Sequence, residues 1–153
     1  SHLRGQANIP PALRVLNLEM GAADFTTQKL LKQALLNNGV TISVDAEYRL
    51  RIVSDTSNRR TLSVTDSAKA AEYELLQTLS FILLNAEGQA LMQPAEIKTY
   101  RTLLYDADAA IGKAHEESNL RREMKRDNVN KLLLRLQATK LENLKPIVVE
   151  ETK

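Results

Sequence analysis

The first forty residues combine a period of two with a helical period, which predicts a strand followed by a helix. Alternation over residues 13–20 puts Leu16, Leu18 and Met20 on one side of an extended segment. Asp24 is suited to cap a helix, and Gly39 to end it in a left-handed conformation. The helix between them is predicted from an apolar stripe of Phe25, Leu30, Leu31, Ala34 and Leu35.

Residues 40–53 return to a period of two, with a polar break at residues 45–47. Arg49 and Arg51 fall on the side opposite the apolar residues, so one face of the predicted sheet is basic and solvated. After a polar turn at residues 55–58, the pattern favours either a short strand over 60–65 or the tip of a protruding hairpin.

A tall hairpin and one long helix are predicted for the remainder. Residues 71–84 alternate as a long strand, in which Gln77 is the one polar exception on the apolar side. Gly88 lies in a turn, and residues 91–105 form the return strand. Residues 106–144 lack proline and carry an apolar stripe of Leu120, Met124, Val129, Leu132, Leu133, Leu136 and Leu141.

The order of strand, helix, two to four strands and long helix predicts an α+β fold, a two-layer sandwich. We expect an extended N-terminal arm over residues 1–11, which ends in two prolines. A single domain spans residues 12–145, and a flexible tail follows over residues 146–153, where Pro146 ends the helix.

The composition of the chain limits the kinds of chemistry and of partner that it can be expected to have. The 153 residues include 21 Lys and Arg against 19 Asp and Glu, a net charge of +2 that gives no general attraction to nucleic acid or acidic membranes. The chain has no cysteine, which excludes a thiol nucleophile, a disulfide framework and a cysteine metal site. With only two histidines we expect no metal centre, and we expect no cofactor.

Candidate chemistry reduces to a few charged residues. Glu72 and Glu74 share one strand face and would be the acid pair of a hydrolase, but a solvated face is the favoured interpretation. His115, beside two glutamates, is interpreted as a surface histidine. Phosphate recognition is the other candidate, because basic residues fall on predicted strands, strand tips and the last helix: Arg49, Arg51, Arg59, Arg60, Lys69, Arg101 and Lys113.

Several short motifs in one order resemble the lipopolysaccharide-assembly lipoprotein family (LptE, also called RlpB). They cover roughly residues 2–145. The motifs are His2-Leu3-Arg4-Gly5, Arg14-Val15-Leu16-Asn17-Leu18, Leu35-Leu36-Asn37-Asn38-Gly39-Val40, Ala71-Glu72-Tyr73-Glu74-Leu75, Tyr100-Arg101-Thr102 with Asp106, and Arg122-Glu123-Met124.

The resemblance implies a binding and scaffolding protein, not an enzyme. Members of that family have two helices on one face of a mixed four-stranded sheet. They sit as a plug inside the β-barrel protein LptD in a one-to-one complex, help that barrel assemble, and take part in placing lipopolysaccharide in the outer leaflet. The family's lipid-attachment Cys is absent from this sequence, as expected for a soluble part of a longer lipoprotein that is anchored on the periplasmic side of the outer membrane.

Lipopolysaccharide carries phosphates, so the resemblance makes clustered basic residues the candidate contacts. We predict lipopolysaccharide binding by Arg59, Arg60 and Lys69 at the hairpin tip and by Lys113 at the start of the last helix. Leu103-Leu104-Tyr105 is interpreted as core or barrel contact rather than an acyl-chain site.

An alternative from another class remains at this stage. A small cytoplasmic α+β module that binds nucleic acid or a protein partner would have the same pattern of elements. The sequence carries few aromatic residues for base stacking, which speaks against nucleic acid. A carboxylate hydrolase using Glu72 and Glu74 ranks last.

Overall fold

The computed structural model describes residues 8–150, in which two helices pack on one face of a five-stranded sheet. The predicted α+β class and the mixed sheet are confirmed. The predicted count of four strands is wrong, because a two-residue strand adds one edge. The elements are β1 (Val15–Glu19), α1 (Phe25–Asn37), β2 (Thr41–Ile42), β3 (Tyr48–Val64), β4 (Ala70–Asn85), β5 (Ala95–Asp106) and α2 (Ala110–Gln137).

The additional strand follows directly from the end of α1. Gly39 adopts a left-handed conformation (φ 83°), which turns the chain back toward the sheet. The amide of Thr41 then donates to the carbonyl of Arg14 (2.7 Å), and the amide of Ser43 donates to that of Leu16 (2.9 Å). These bonds make β2 a parallel neighbour of β1.

The strand order is β2-β1-β3-β4-β5, with β1 parallel to both of its neighbours and β3, β4 and β5 antiparallel. β3 continues to Val64 with register shifts at 52/54 and 61/63, so residues 60–65 are the end of one long strand, not a separate element. Because β1 pairs only with residues 48–51 of β3, the β3–β4 hairpin and β5 extend beyond it.

Two apolar clusters lie between the sheet and the helices. The larger cluster joins both helices to the lower half of the sheet, for example through Leu35, Phe81 and Leu132. A small second cluster, under the upper half of the hairpin, consists of Leu75, Leu103 and Met124 with Leu120 packed against it. Near α2, the upper half of the sheet therefore has only a few buried apolar side chains.

A layer of polar side chains, which we call the polar belt, separates the two clusters: Gln77, Thr99 and Asn128 are buried, Asp55 is partly buried and Ser57 is exposed. The Gln77 amide accepts from the Ser57 hydroxyl (2.7 Å) and donates to the Asp55 carboxylate (3.2 Å). Asn128 on α2 accepts from the Thr99 hydroxyl (2.5 Å) and donates to the Gln77 carbonyl (3.0 Å). The belt fixes the position of α2 on β4 and β5 through directional bonds.

A charged contact ties the two helices together. Asp24 accepts from the Thr27 amide (2.8 Å), as predicted for the cap of α1, and also pairs with Lys125 of α2. Partial burial raises the pKa of Asp24, but the hydrogen bonds from Lys125 and Thr27 and the Lys125 charge outweigh it. The pKa of this carboxyl therefore lies below its ordinary value.

Both predicted ends fall partly outside the described residues, namely 1–7 of the arm and 151–153 of the tail. Ile9 is buried, and Pro11–Leu13 forms a short 3-10 helix. In the tail, the amide of Ile147 donates to the carbonyl of Ala90. The domain limits and the flexibility of the tail stay predictions. Within residues 8–150, no helix has the length and apolar character needed to span a membrane.

Candidate functional site

The tip of the β3–β4 hairpin and the start of α2 meet at one end of the molecule. The turn that joins the strands closes through the amide of Thr65, which donates to the Ala70 carbonyl (3.0 Å). The carbonyl of Lys69 accepts from the amide of Ala107 (2.8 Å), just before α2 begins. The structure therefore brings the predicted hairpin tip into direct contact with the segment that precedes α2.

A groove of about 790 Å³ opens between these segments. Polar and apolar groups alternate along it, and Lys113 of α2 forms part of its wall. We call it the tip groove; its lining is Ser63, Val64, Thr65, Ala70, Ala71, Glu72, Leu104, Tyr105, Asp106, Ala109 and Lys113.

Lys113 lines the tip groove and Lys69 lies beside a lining residue in the chain, and the two lysines have different electrostatic surroundings. Lys69 directly precedes the lining residue Ala70, is exposed, and forms no ion pair with any other residue of the described range 8–150. Lys113 pairs with Glu116 one turn further along α2, at 2.7 Å between Nζ and Oε2. A pair of this local, partly exposed kind is weak and exchanges readily with other partners.

Arg59 and Arg60 point to opposite faces of β3, as consecutive strand residues do. Arg59 lies on the helix side, where its guanidinium stacks on the ring of Tyr73 (4.3 Å) and pairs with Glu117 (3.4 Å). Arg60 lies on the other side and pairs with Glu74 across the strand (3.0 Å). The four predicted binding residues therefore do not form one cluster.

The sequence pattern missed how firmly α2 is attached near the tip. The mixed charges of residues 121–126 are typical of a solvated helix face, yet the Arg121 side chain is only 17% exposed. It pairs with Glu117 (3.2 Å) and donates to the Asn58 carbonyl at the edge of β3 (3.2 Å). The sequence does not predict this contact because Arg121 and Asn58 are 63 positions apart.

The remaining candidate residues do not form a catalytic arrangement within residues 8–150. Glu74 is paired with Arg60, Glu72 lies in the wall of the tip groove, and His115 is exposed on α2. Leu103 is buried, as predicted for core, but Leu104 is 62% exposed and lines the tip groove. Among residues 8–150 there is no cluster of three or more acidic or histidine side chains that would hold a metal ion.

Comparison with known proteins gives a family match over most of this fold. Residues 16–136 match the LptE family, described as "Lipopolysaccharide-assembly". Two relatives, each named LPS-assembly lipoprotein LptE, come from Pectobacterium atrosepticum and Yersinia enterocolitica. The first is 28% identical over 88% of this chain and 74% of its own length. The second is also 28% identical over 88% of this chain, which covers 66% of that relative, slightly less than two thirds.

Solved structures agree with the family match. A minor lipoprotein from Acinetobacter baumannii superimposes with a TM-score of 0.73 at 27% identity, over 84% of this chain and 94% of that one. The rare lipoprotein B from Shewanella oneidensis gives a TM-score of 0.71 at 27% identity, over 84% and 97%. A lipoprotein B from Nitrosomonas europaea gives 0.71 at 25% identity, over 90% of each chain.

Fold and relatives together define an assembly protein rather than an enzyme: two helices on a mixed sheet, with a groove at one end whose lining includes Lys113. The chain belongs to the LptE family of lipopolysaccharide-assembly lipoproteins.

Proposed function

We propose that this chain is the lipopolysaccharide-assembly lipoprotein of an outer membrane, that it plugs and helps assemble the LptD β-barrel in a one-to-one complex, and that it binds lipopolysaccharide with its tip. The match to the LptE family over residues 16–136 carries the proposal. The relatives are named lipoproteins, which supports a lipid-anchored position on the periplasmic side of that membrane. They lend no support to a cytoplasmic nucleic-acid module.

The tip groove supports the lipopolysaccharide part of the proposal because it combines two kinds of group. Lys113, in the lining, and the exposed Lys69, next to the lining residue Ala70, provide cationic ends for phosphates, and a lysine binds phosphate as a point charge without a fixed geometry. Val64 and Leu104 are 55% and 62% exposed beside them and offer apolar contact. A ligand that is both anionic and amphiphilic matches this combination of cationic and apolar groups better than a simple anion does.

Arg59 and Arg60 take a secondary place in the proposal. A phosphate that binds Arg59 must displace Glu117 or share the guanidinium with it, and Glu74 has the same effect at Arg60. We therefore assign most of the phosphate binding to Lys69 and Lys113, with the two arginines adding positive potential at longer range.

The composition of the outer surface supports the plug part. The lumen of a large membrane barrel is polar and wet, so a protein inside it needs a polar surface whose charges have partners. The sheet face away from the helices, which we call the open face, carries exposed Thr56 and the Glu96–Lys98 pair in its middle and the Arg60–Glu74 pair above them. Hydroxyls and paired charges of this kind can bond to lumen side chains or to water.

Charge reversal tests the lipopolysaccharide site. In the double variant Lys69→Glu and Lys113→Glu, we expect binding of purified lipopolysaccharide to weaken at least 10-fold, because two phosphate contacts become repulsive, while the circular dichroism spectrum stays unchanged. The matched control is Lys32→Glu with Lys140→Glu, two exposed lysines outside the tip groove, which should bind within 2-fold of the original chain. Equal binding by both double variants would remove the site assignment.

Co-purification tests the plug independently. The full-length lipoprotein, co-expressed with its cognate LptD barrel and purified in detergent through a tag on one partner, should be recovered with the barrel in a one-to-one ratio. Recovery of each protein alone would contradict the plug. The tip variant should still co-purify, so that loss of lipopolysaccharide binding and loss of barrel binding are separate results.

A further inference from the structure

The lower part of the open face has an apolar floor that faces away from both helices. Ile82 and Leu84 stand opposite Arg51 and Arg49 in the β3–β4 register, and Phe81 and Leu83, which alternate with them on β4, belong to the larger cluster. Ile82 and Leu84 are nevertheless only 5% and 3% exposed. Some other part of the chain therefore covers them.

The cover includes the segment that follows Pro146. Ile147 and Val149 line one groove together with Ile82 and Leu84, whereas Val148 is 88% exposed. This alternation is that of an extended segment with one side against the sheet. We call residues 147–150 the strap. The space left beside it is a groove of about 820 Å³, so the strap covers the floor without filling the site.

One side-chain amide holds the backbone of the strap. Nε2 of Gln93 donates to the carbonyl of Val148 (3.0 Å), and Oε1 of Gln93 accepts from the amide of Glu150 (3.1 Å). The carbonyl of one residue and the N–H of the residue two further along are the groups that a neighbouring strand would bond. Gln93 thus recognises an extended backbone whatever its side chains, and the apolar floor selects the side chains at alternate positions.

We propose that this groove is a recognition site for an extended polypeptide segment with apolar residues at alternate positions, and that the chain's own strap occupies it reversibly. The strap is attached by the two Gln93 bonds and the bond from the Ile147 amide to the Ala90 carbonyl (2.9 Å). A segment with so few bonds and with side chains more than one third exposed opens at low cost. Opening presents Ile82 and Leu84 to an incoming segment of the same pattern.

The test uses the full chain and a labelled peptide with the sequence of residues 146–153. Ile147→Ser with Val149→Ser releases the strap, and Gln93→Ala is a second variant that weakens it without touching the apolar floor. By fluorescence anisotropy, we expect the double variant to bind the peptide at least 10-fold more tightly than the original chain, whose own strap competes. In Gln93→Ala, amide exchange at Ile147 and Glu150 should accelerate at least 10-fold.

Val148→Ser provides the matched control, because this side chain points away from the sheet. In the chain it should leave peptide binding as weak as in the original, and in the peptide it should preserve binding to the double variant within 2-fold. A peptide with serine at the positions of Ile147 and Val149 should not bind. The proposal is overturned if no peptide binds the double variant, if the Val148 change acts like the double change, or if the opened groove takes detergent but no peptide.

Discussion

Replacing Asn128 by alanine tests whether the polar belt holds α2 on the sheet. Asn128 is 1% exposed, and its amide makes both of the belt's bonds between α2 and the sheet. The change removes the acceptor of the Thr99 hydroxyl and the donor to the Gln77 carbonyl. Lys131 still donates to the Thr99 hydroxyl (3.0 Å), so one bond of that side chain survives.

The magnitude follows from these contacts. Two lost hydrogen bonds contribute about 1 kcal/mol each, and the buried groups that they leave behind add about 1 to 2 kcal/mol. Alanine favours helix over asparagine by about 0.6 kcal/mol, which offsets part of the loss. We expect the free energy of unfolding to fall by about 3 kcal/mol in Asn128→Ala. For a chain of this size that corresponds to a decrease in Tm of roughly 6 to 12 °C.

Urea unfolding followed by far-ultraviolet circular dichroism measures this loss, provided that the dependence on urea concentration is unchanged between variants. Asn130→Ala is the matched control, since Asn130 is exposed two residues along the same helix and should give no loss. The double variant with Thr99→Val should show a coupling of about 1 kcal/mol with Asn128→Ala. A loss in Asn128→Ala below about 1 kcal/mol, or no greater than that in Asn130→Ala, would refute a structural role for the belt.

Four further changes test other parts of the structure. Asp24→Asn keeps the helix cap but not the charge pair with Lys125. Because folding lowers the pKa of Asp24, the charged carboxylate stabilises the protein at pH values above the unfolded-state pKa. This stabilisation is lost as the pH falls through the folded-state pKa. The original chain should therefore lose more stability than Asp24→Asn in urea titrations between pH 6 and about pH 2.5. Leu132→Ala should lower the free energy of unfolding by about 3 kcal/mol, measured in urea, since the side chain is fully buried. Leu75→Ala, in the small upper cluster, should accelerate amide exchange in the upper hairpin more than in α1, and uniform acceleration would contradict a separate upper cluster. Thermal unfolding of Gly39→Ala should show a loss of about 1 kcal/mol, because alanine is strained at φ 83°.

Much of the fold could be predicted because its signals are local. The cap at Asp24, the stop at Gly39 and the long alternation of β4 each depend on neighbouring residues, and each is found where the pattern places it. Strand β2 is different, since the period of two over residues 40–53 predicts an extended segment but not the strand with which it pairs. Its existence depends on carbonyls of β1 more than twenty residues earlier, which only the folded chain brings near.

The polar belt shows what a local signal in the sequence can predict and what it cannot. Gln77 interrupts an apolar strand face, and that irregularity was visible in the sequence. Its explanation was not, because the groups that satisfy Gln77 lie on β3 and α2, at Asp55, Ser57 and Asn128. A buried glutamine needs partners for its amide, and the sequence does not say which distant residues supply them.

The candidate site was predictable as a set of cations but not as an electrostatic surface. Arg59 and Lys69 look alike in the sequence, yet α2 brings Glu117 to Arg59 from 58 positions away, and the strand register sets Glu74 beside Arg60. Charge reversal at either arginine therefore creates repulsion within the protein, which would confuse loss of binding with loss of structure. Within residues 8–150, the acidic partner of Lys113 is Glu116, one turn further along α2, in a partly exposed pair of small energetic value. We therefore expect the lysine double variant to change the electrostatic potential at the tip groove with little effect on stability. It separates lipopolysaccharide binding from folding, whereas charge reversal at the arginines does not.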